Sequence, residues 1–106
     1  MLTAADRIVF QVDDGDSNID CVTEKDGTAT TTDSGVDIAS GTAVTLGFHV
    51  KSTGSVEFFV NRNKVATHTA NIPDDENLAL GAMQLSGSAT GTKSMNIDYI
   101  FAAQVR

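Results

Sequence analysis

Tryptophan is absent from this 106-residue chain, and tyrosine, proline and cysteine occur once each. Each scarcity removes a class of protein. With Tyr99 alone and no Trp, the chain lacks the aromatic platform on which many sugar-binding surfaces stack their ligands. A single Cys21 cannot close an internal disulfide, so nothing argues for an oxidising compartment, and its expected place is that of a small buried hydrophobe. No stretch approaches the ~18 apolar residues of a membrane span, and the opening MLTAADR lacks the basic-then-apolar order of a secretory signal. A soluble protein with no membrane partner is expected. No long helical pattern is found either.

Catalytic signatures are also missing. Asp74, Asp75 and Glu76 are consecutive in a loop, whereas Asp98 and Glu57 are single carboxylates on different predicted strands, so no acid pair is held ready to flank a glycosidic bond. No serine sits in a nucleophile elbow, and Cys21 has no placed base. The glycine-containing runs do not join a strand to a helix and therefore cradle no phosphate. No enzymatic activity and no cofactor are expected.

Charge is unevenly spread. The net charge is −7; residues 1–40 hold nine acids against Arg7 and Lys25, and residues 41–106 hold five acids and five bases. An acidic first third repels phosphates, so nucleic acid is not an expected partner. It is also what keeps many domains in solution.

What the chain does have is alternation. In residues 44–69, VTLGFHVKSTGSVEFFVNRNKVATHT, apolar Val44, Leu46, Phe48 and Val50 alternate with Thr45, Gly47, His49 and Lys51. Val56, Phe58 and Val60 then alternate with Glu57, Phe59 and Asn61. A period of two marks half-buried strands, and three antiparallel strands are predicted here. A three-residue loop Ser52-Thr53-Gly54 would pair Lys51 with Ser55 and set Val50, Phe48 and Leu46 opposite Val56, Phe58 and Val60. A two-residue loop Arg62-Asn63 would pair Asn61 with Lys64, Val60 with Val65 and Phe58 with Thr67. Both registers gather one apolar face, expected to hold the fold, and the first sets Phe59 across from Gly47, where a ring covers bare backbone.

Elsewhere, strands are predicted over residues 7–13, 18–25 and a Thr-rich 29–33, with turns at Asp14-Gly15-Asp16-Ser17 and Asp26-Gly27 and a short edge segment at 36–38. Pro73 opens a break with room for one helical turn, strand returns over 78–85, a loop covers 86–92, and 94–105 closes the chain as a strand. Short strands with turn signals every eight to twelve residues indicate one all-β domain over 1–106, an antiparallel β-sandwich.

Two clusters invite functional readings. The expected registers place Glu57 between His49 and His68, facing residues about 5 Å apart, so a His49-Glu57-His68 row is a candidate zinc site. The plain alternative is a solvent-exposed charge row. With Asn61, the same polar face is a candidate ligand surface of His49, Glu57, Asn61 and His68. The segment Asp14-x-Asp16-x-Asn18-x-Asp20 alternates oxygen ligands as a calcium loop does, but Ile19 replaces the required Gly and Lys25 the closing Glu, which excludes an EF-hand. A looser surface ion site or an ordinary acidic turn remain.

From residue 44 onward the order of elements resembles the second half of concanavalin A-like, laminin-G-like jelly-roll domains, through Val60-Asn61, Val65-Ala66-Thr67 and Ile97-Asp98-Tyr99-Ile100. Arg62 departs from the pattern, which often has Gly there. RIVFQVDDGDSNIDCV, FFVNRNKVATHTANIPDDENLAL and DYIFAAQVR resemble modules of virion structural proteins in tailed bacteriophages. The E-x-D-x-E strand motif of glucanases with this fold is absent, and calcium-binding lectin residues have no clear counterparts. The resemblance implies a jelly roll in the phage particle, decorating or stabilising the capsid through contacts with capsid or other virion proteins and with copies of itself. Full jelly rolls of this kind are longer, so the 106 residues are expected to be the C-terminal part of a larger sandwich or to be completed by a partner. A carbohydrate-binding module using the polar face is the alternative.

Overall fold

A computed structural model describes residues 5–52, 54–74, 78, 81, 95–97 and 99–103. The chain separates into two compact units, Ala4–Leu78 and a second made of Met1–Thr3 with Ala79–Arg106. The first holds six strands and no helix among its described residues.

Strands β1 (Arg7–Gln11), β2 (Asn18–Lys25) and β3 (Thr28–Asp37) form one antiparallel sheet in that order. Strands β4 (Leu46–Ser52), β5 (Ser55–Val60) and β6 (Asn63–His68) form another. The all-β architecture expected from alternation is therefore present, as two three-stranded sheets in a sandwich-like arrangement. β3 is longer than the segment expected over 29–33. It continues through an irregularity, where Asp20 pairs with Asp33 but Asn18 pairs with Asp37, and so absorbs most of the short edge segment expected at 36–38.

One core lies between the sheets. Cys21 of β2 meets Val56 and Phe58 of β5 and Ile72 beyond β6, flanked by Ile8, Phe10, Val65 and Ala66. Phe10 meets the Phe58 ring edge-on, with centroids 5.3 Å apart at 89°, the geometry favoured by the ring quadrupoles. The alternation in β5 is realised fully: Val56, Phe58 and Val60 are buried while Ser55, Glu57 and Phe59 are half-buried. Burying such a side chain contributes about 1.5–3 kcal/mol.

The expected β4–β5 register is observed at Leu46↔Val60, Gly47↔Phe59, Phe48↔Phe58, His49↔Glu57 and Val50↔Val56. At the turn the ladder departs from it: Ser52, not Lys51, pairs with Ser55, and Lys51 takes the irregular position. The middle of the expected loop, Thr53, lies outside the described residues.

The β5–β6 turn differs by one residue from expectation. Its two central residues are Asn61 and Arg62, both left-handed at φ 52° and 70°, as a type I′ hairpin requires. Val60 then pairs with Asn63 and Phe59 with Lys64, after which the register shifts, so that Phe58 faces Ala66, Glu57 faces Thr67 and Val56 faces His68. Val65 is the extra residue of a β-bulge.

Leu46, Phe48 and Val50 were expected in the core. They remain 45%, 43% and 46% exposed, because β4 is the edge of its sheet. The helical turn expected after Pro73 and the strand expected over 78–85 fall largely outside the described residues, as does the loop over 86–92. Within 94–105, expected as a strand, residues 95–97 and 99–103 are exposed and lie in no strand.

Candidate functional site

The outer face of the second sheet is built around Glu57. Its position in the centre strand sets β4 and β6 on either side, and alternation turns its carboxylate away from the core. Lys64 Nζ donates to Glu57 Oε2 at 3.2 Å. Across β4, His49 Nδ1 stands 3.8 Å and Lys51 Nζ 4.0 Å from Oε1. The Lys64 hydrogen bond, helped by the positive potential of Lys51, Lys64 and His49, holds the Glu57 carboxyl below its ordinary range. An ionised carboxylate so surrounded is an electrostatic anchor for three strands.

His68 is not part of this face. The bulge at Val65 advances β6 by one residue, and one residue is enough to turn a side chain to the opposite side of a sheet. His68 is 3% exposed, packed against the Phe58 ring at 5.0 Å between centroids. Its Nδ1 lies 2.9 Å from Thr23 Oγ1 and its Nε2 lies 2.9 Å from Thr32 Oγ1, both on the other sheet. Burial lowers its pKa by disfavouring the charged ring. The row of His49, Glu57 and His68 considered for zinc is thus divided between two faces. Among the described residues no three His, Cys, Asp or Glu side chains gather as metal ligands.

Asn61, the fourth residue of the candidate ligand surface, is part of the hairpin turn. Its side-chain oxygen accepts from the Thr45 backbone N–H at 3.1 Å, and its own N–H donates to Thr45 O at 2.8 Å. Of the four, the structure brings together His49 and Glu57. Lys51 and Lys64 complete the cluster. Lys51 shares the face of His49 by simple alternation and was legible in the sequence, whereas Lys64 reaches Glu57 because the Asn61-Arg62 turn sets it opposite Phe59, next along the same face.

The acidic segment forms a hairpin turn held by its own side chains. Asp16 Oδ1 accepts from Asn18 N at 3.0 Å, Asn18 Nδ2 donates to Asp33 Oδ2 at 2.8 Å, and Gly35 N donates to Asp33 Oδ1 at 2.7 Å. These donors lower the Asp33 pKa, the Gly35 bond most and the Asn18 bond next. Asp20, directly across from Asp33, is pushed the other way, by burial first and then by Asp33, Asp13 and Asp16. The Asp33 carboxylate is already satisfied by two N–H donors.

No family model, curated protein or solved structure matches this chain.

Proposed function

We propose that this chain is a non-enzymatic structural module of a tailed-bacteriophage virion, a capsid decoration or stabilising protein of jelly-roll topology that works through protein–protein contacts. One observation carries the reading: an edge strand, β4, leaves Leu46, Phe48 and Val50 nearly half exposed in a row. Exposed apolar strips and open strand edges are what proteins cover by association. The likeness of three sequence segments to phage virion modules supplies the setting. Glu57 supports it from the other side, because its carboxylate is engaged by Lys64, Lys51 and His49 on the two flanking strands and so braces the sheet that carries this edge.

The test is composition. Purified particles of the phage carrying the gene are expected to contain the chain in fixed ratio to the capsid protein, read by quantitative mass spectrometry. Its absence from washed particles overturns the proposal.

The carbohydrate-binding alternative now rests on His49 and Glu57 with their neighbouring lysines. Glycan-array binding by the wild-type chain, abolished in Glu57→Ala, would replace the structural reading with that one.

A further inference from the structure

We propose that the free edge of β4 is a self-pairing strand: two copies of this chain join across it about a two-fold axis at Phe48, turning two three-stranded sheets into one continuous sheet. This deepens the association part of the virion reading, and rests on it only for the expectation of a homo-oligomer.

The hydrogen-bonding parity of the strand supplies the first argument. Just before β4, Asn61 N donates to Thr45 O at 2.8 Å and Thr45 N donates to Asn61 Oδ1 at 3.1 Å, so Thr45 directs its backbone groups toward β5. In an antiparallel ladder the direction alternates, and Gly47 and His49 therefore also bond toward β5. The N–H and C=O groups of Leu46, Phe48 and Val50 consequently face the open edge, where no strand among the described residues lies. These are the same residues whose side chains form the exposed apolar row.

Self-complementarity supplies the second. A two-fold contact requires that if one residue meets a second, the second meets the first. Centring on Phe48 opposes Phe48 to Phe48, Leu46 to Val50 and Val50 to Leu46. β4 already makes a Phe–Phe and a Leu–Val pair of this kind inside its own sheet, Phe48↔Phe58 and Leu46↔Val60, with Val50 opposite another β-branched residue, Val56. In the paired edges, Leu46, Phe48 and Val50 of each copy donate and accept backbone hydrogen bonds, and the two apolar rows lie side by side as one strip twice as wide.

Charge supplies the third. In this register Lys51 falls opposite the neutral Thr45 and His49 opposite Gly47, so no like charges are opposed on the polar face. Shifting the axis to His49 would oppose two histidines and leave Leu46 facing Ser52.

The experiment follows the wild-type chain by sedimentation over a concentration series, with residue-resolved amide hydrogen exchange at each end of the series. A dimer is expected, with the amides of Leu46, Phe48 and Val50 slow at high concentration and fast on dilution, while those of Gly47 and His49 stay slow throughout. Phe48→Lys, which places two like charges on the axis, is expected to weaken the dimer at least tenfold with an unchanged far-ultraviolet circular dichroism spectrum. Phe101→Lys, on the second unit, is expected to leave it unchanged. If Phe48→Lys does not fold, the alternating exchange pattern of the wild type decides alone.

A monomer at every concentration overturns the proposal, as does a closed trimer or a dimer in which those three amides exchange fast. Slow exchange at all three in a monomer also overturns it, because another part of the same chain then covers the edge. Particle stoichiometry is unaffected by any of these results, so failure here and failure of the virion reading are separable.

Discussion

The hydroxyl of Thr23 has one hydrogen, and it is donated to the Ala70 carbonyl at 3.1 Å. Thr23 Oγ1 must therefore accept from His68, which puts the proton of the neutral ring on Nδ1 and leaves Nε2 to accept from the Thr32 hydroxyl. One imidazole thus ties β6 to both β2 and β3. Asn71 adds a parallel tie, its Nδ2 donating to Thr30 Oγ1 at 2.9 Å. The pH consequence has a definite sign. The folded ring has a pKa below its ordinary 6.5, so the unfolded chain takes up the proton first. Stability from the neutral ring is complete above 6.5 and declines as pH falls through 6.5 toward the lower folded value. Thermal melts from about pH 7.5 to about pH 5.5 are expected to show a falling Tm in the wild type and a flatter profile in His68→Gln. Equal slopes would remove His68 as the origin. Carboxylates lowered by their partners, Glu57, Asp33 and Asp74, lose their contributions only at more acid pH.

Cys21 is the second residue whose behaviour follows from its surroundings. It is fully buried in the core, as expected of the only cysteine, and burial pushes its thiol up to about 11. The thiolate is the reactive species, so the native protein is expected to resist thiol reagents at about pH 8 and to react fully once unfolded. Rapid labelling of the folded chain would contradict this packing.

At the scale of elements, the β5–β6 hairpin shows how the turn sets the register. Alternation alone allowed Arg62-Asn63 as the loop, because that choice also gathers an apolar face. A type I′ turn wants two left-handed residues, and Asn tolerates that conformation best after Gly. Asn61 and Arg62 adopt it, Val60 and Phe59 pair directly with Asn63 and Lys64, and the bulge at Val65 then shifts the register by one residue. Arg62 at φ 70° carries a strain that glycine does not. Arg62→Gly is expected to stabilise the chain by about 1 kcal/mol, seen as a higher urea midpoint at constant m-value. A lower midpoint would mean that the side chain contributes more than its backbone costs. Asp26 and Gly27, at φ 50° and 79°, make the equivalent left-handed pair between β2 and β3, and there the Asp-Gly signal was readable directly.

At the scale of the molecule, the two faces of one apolar pair separate. Phe48 and Phe58 stand opposite each other on the same side of the same sheet, yet Phe58 is 0% exposed and Phe48 is 43% exposed. Phe58 is covered by Phe10 and His68, whereas Phe48 sits on the edge strand. Phe58→Ala is expected to cost about 3–5 kcal/mol, and Phe48→Ala in dilute solution clearly less, about 1–2 kcal/mol, by urea unfolding. Equal costs would show that Phe48 is covered in solution.

Within residues 7–68, strand identity, hairpin succession and an apolar face in each sheet were determined by the sequence alone, because alternation of period two and glycine- or Asp-containing turns act locally. β2 appears with the bounds read from the chain, 18–25, and the ladder from Leu46 to Val50 pairs as read. Only the tertiary structure decided which side of the sheet His68 takes and which apolar residues are buried. A bulge is one unpaired residue with no signature of its own in the alternation. Burial depends on how far the opposing sheet extends, and no residue in β4 encodes the width of β1, β2 and β3.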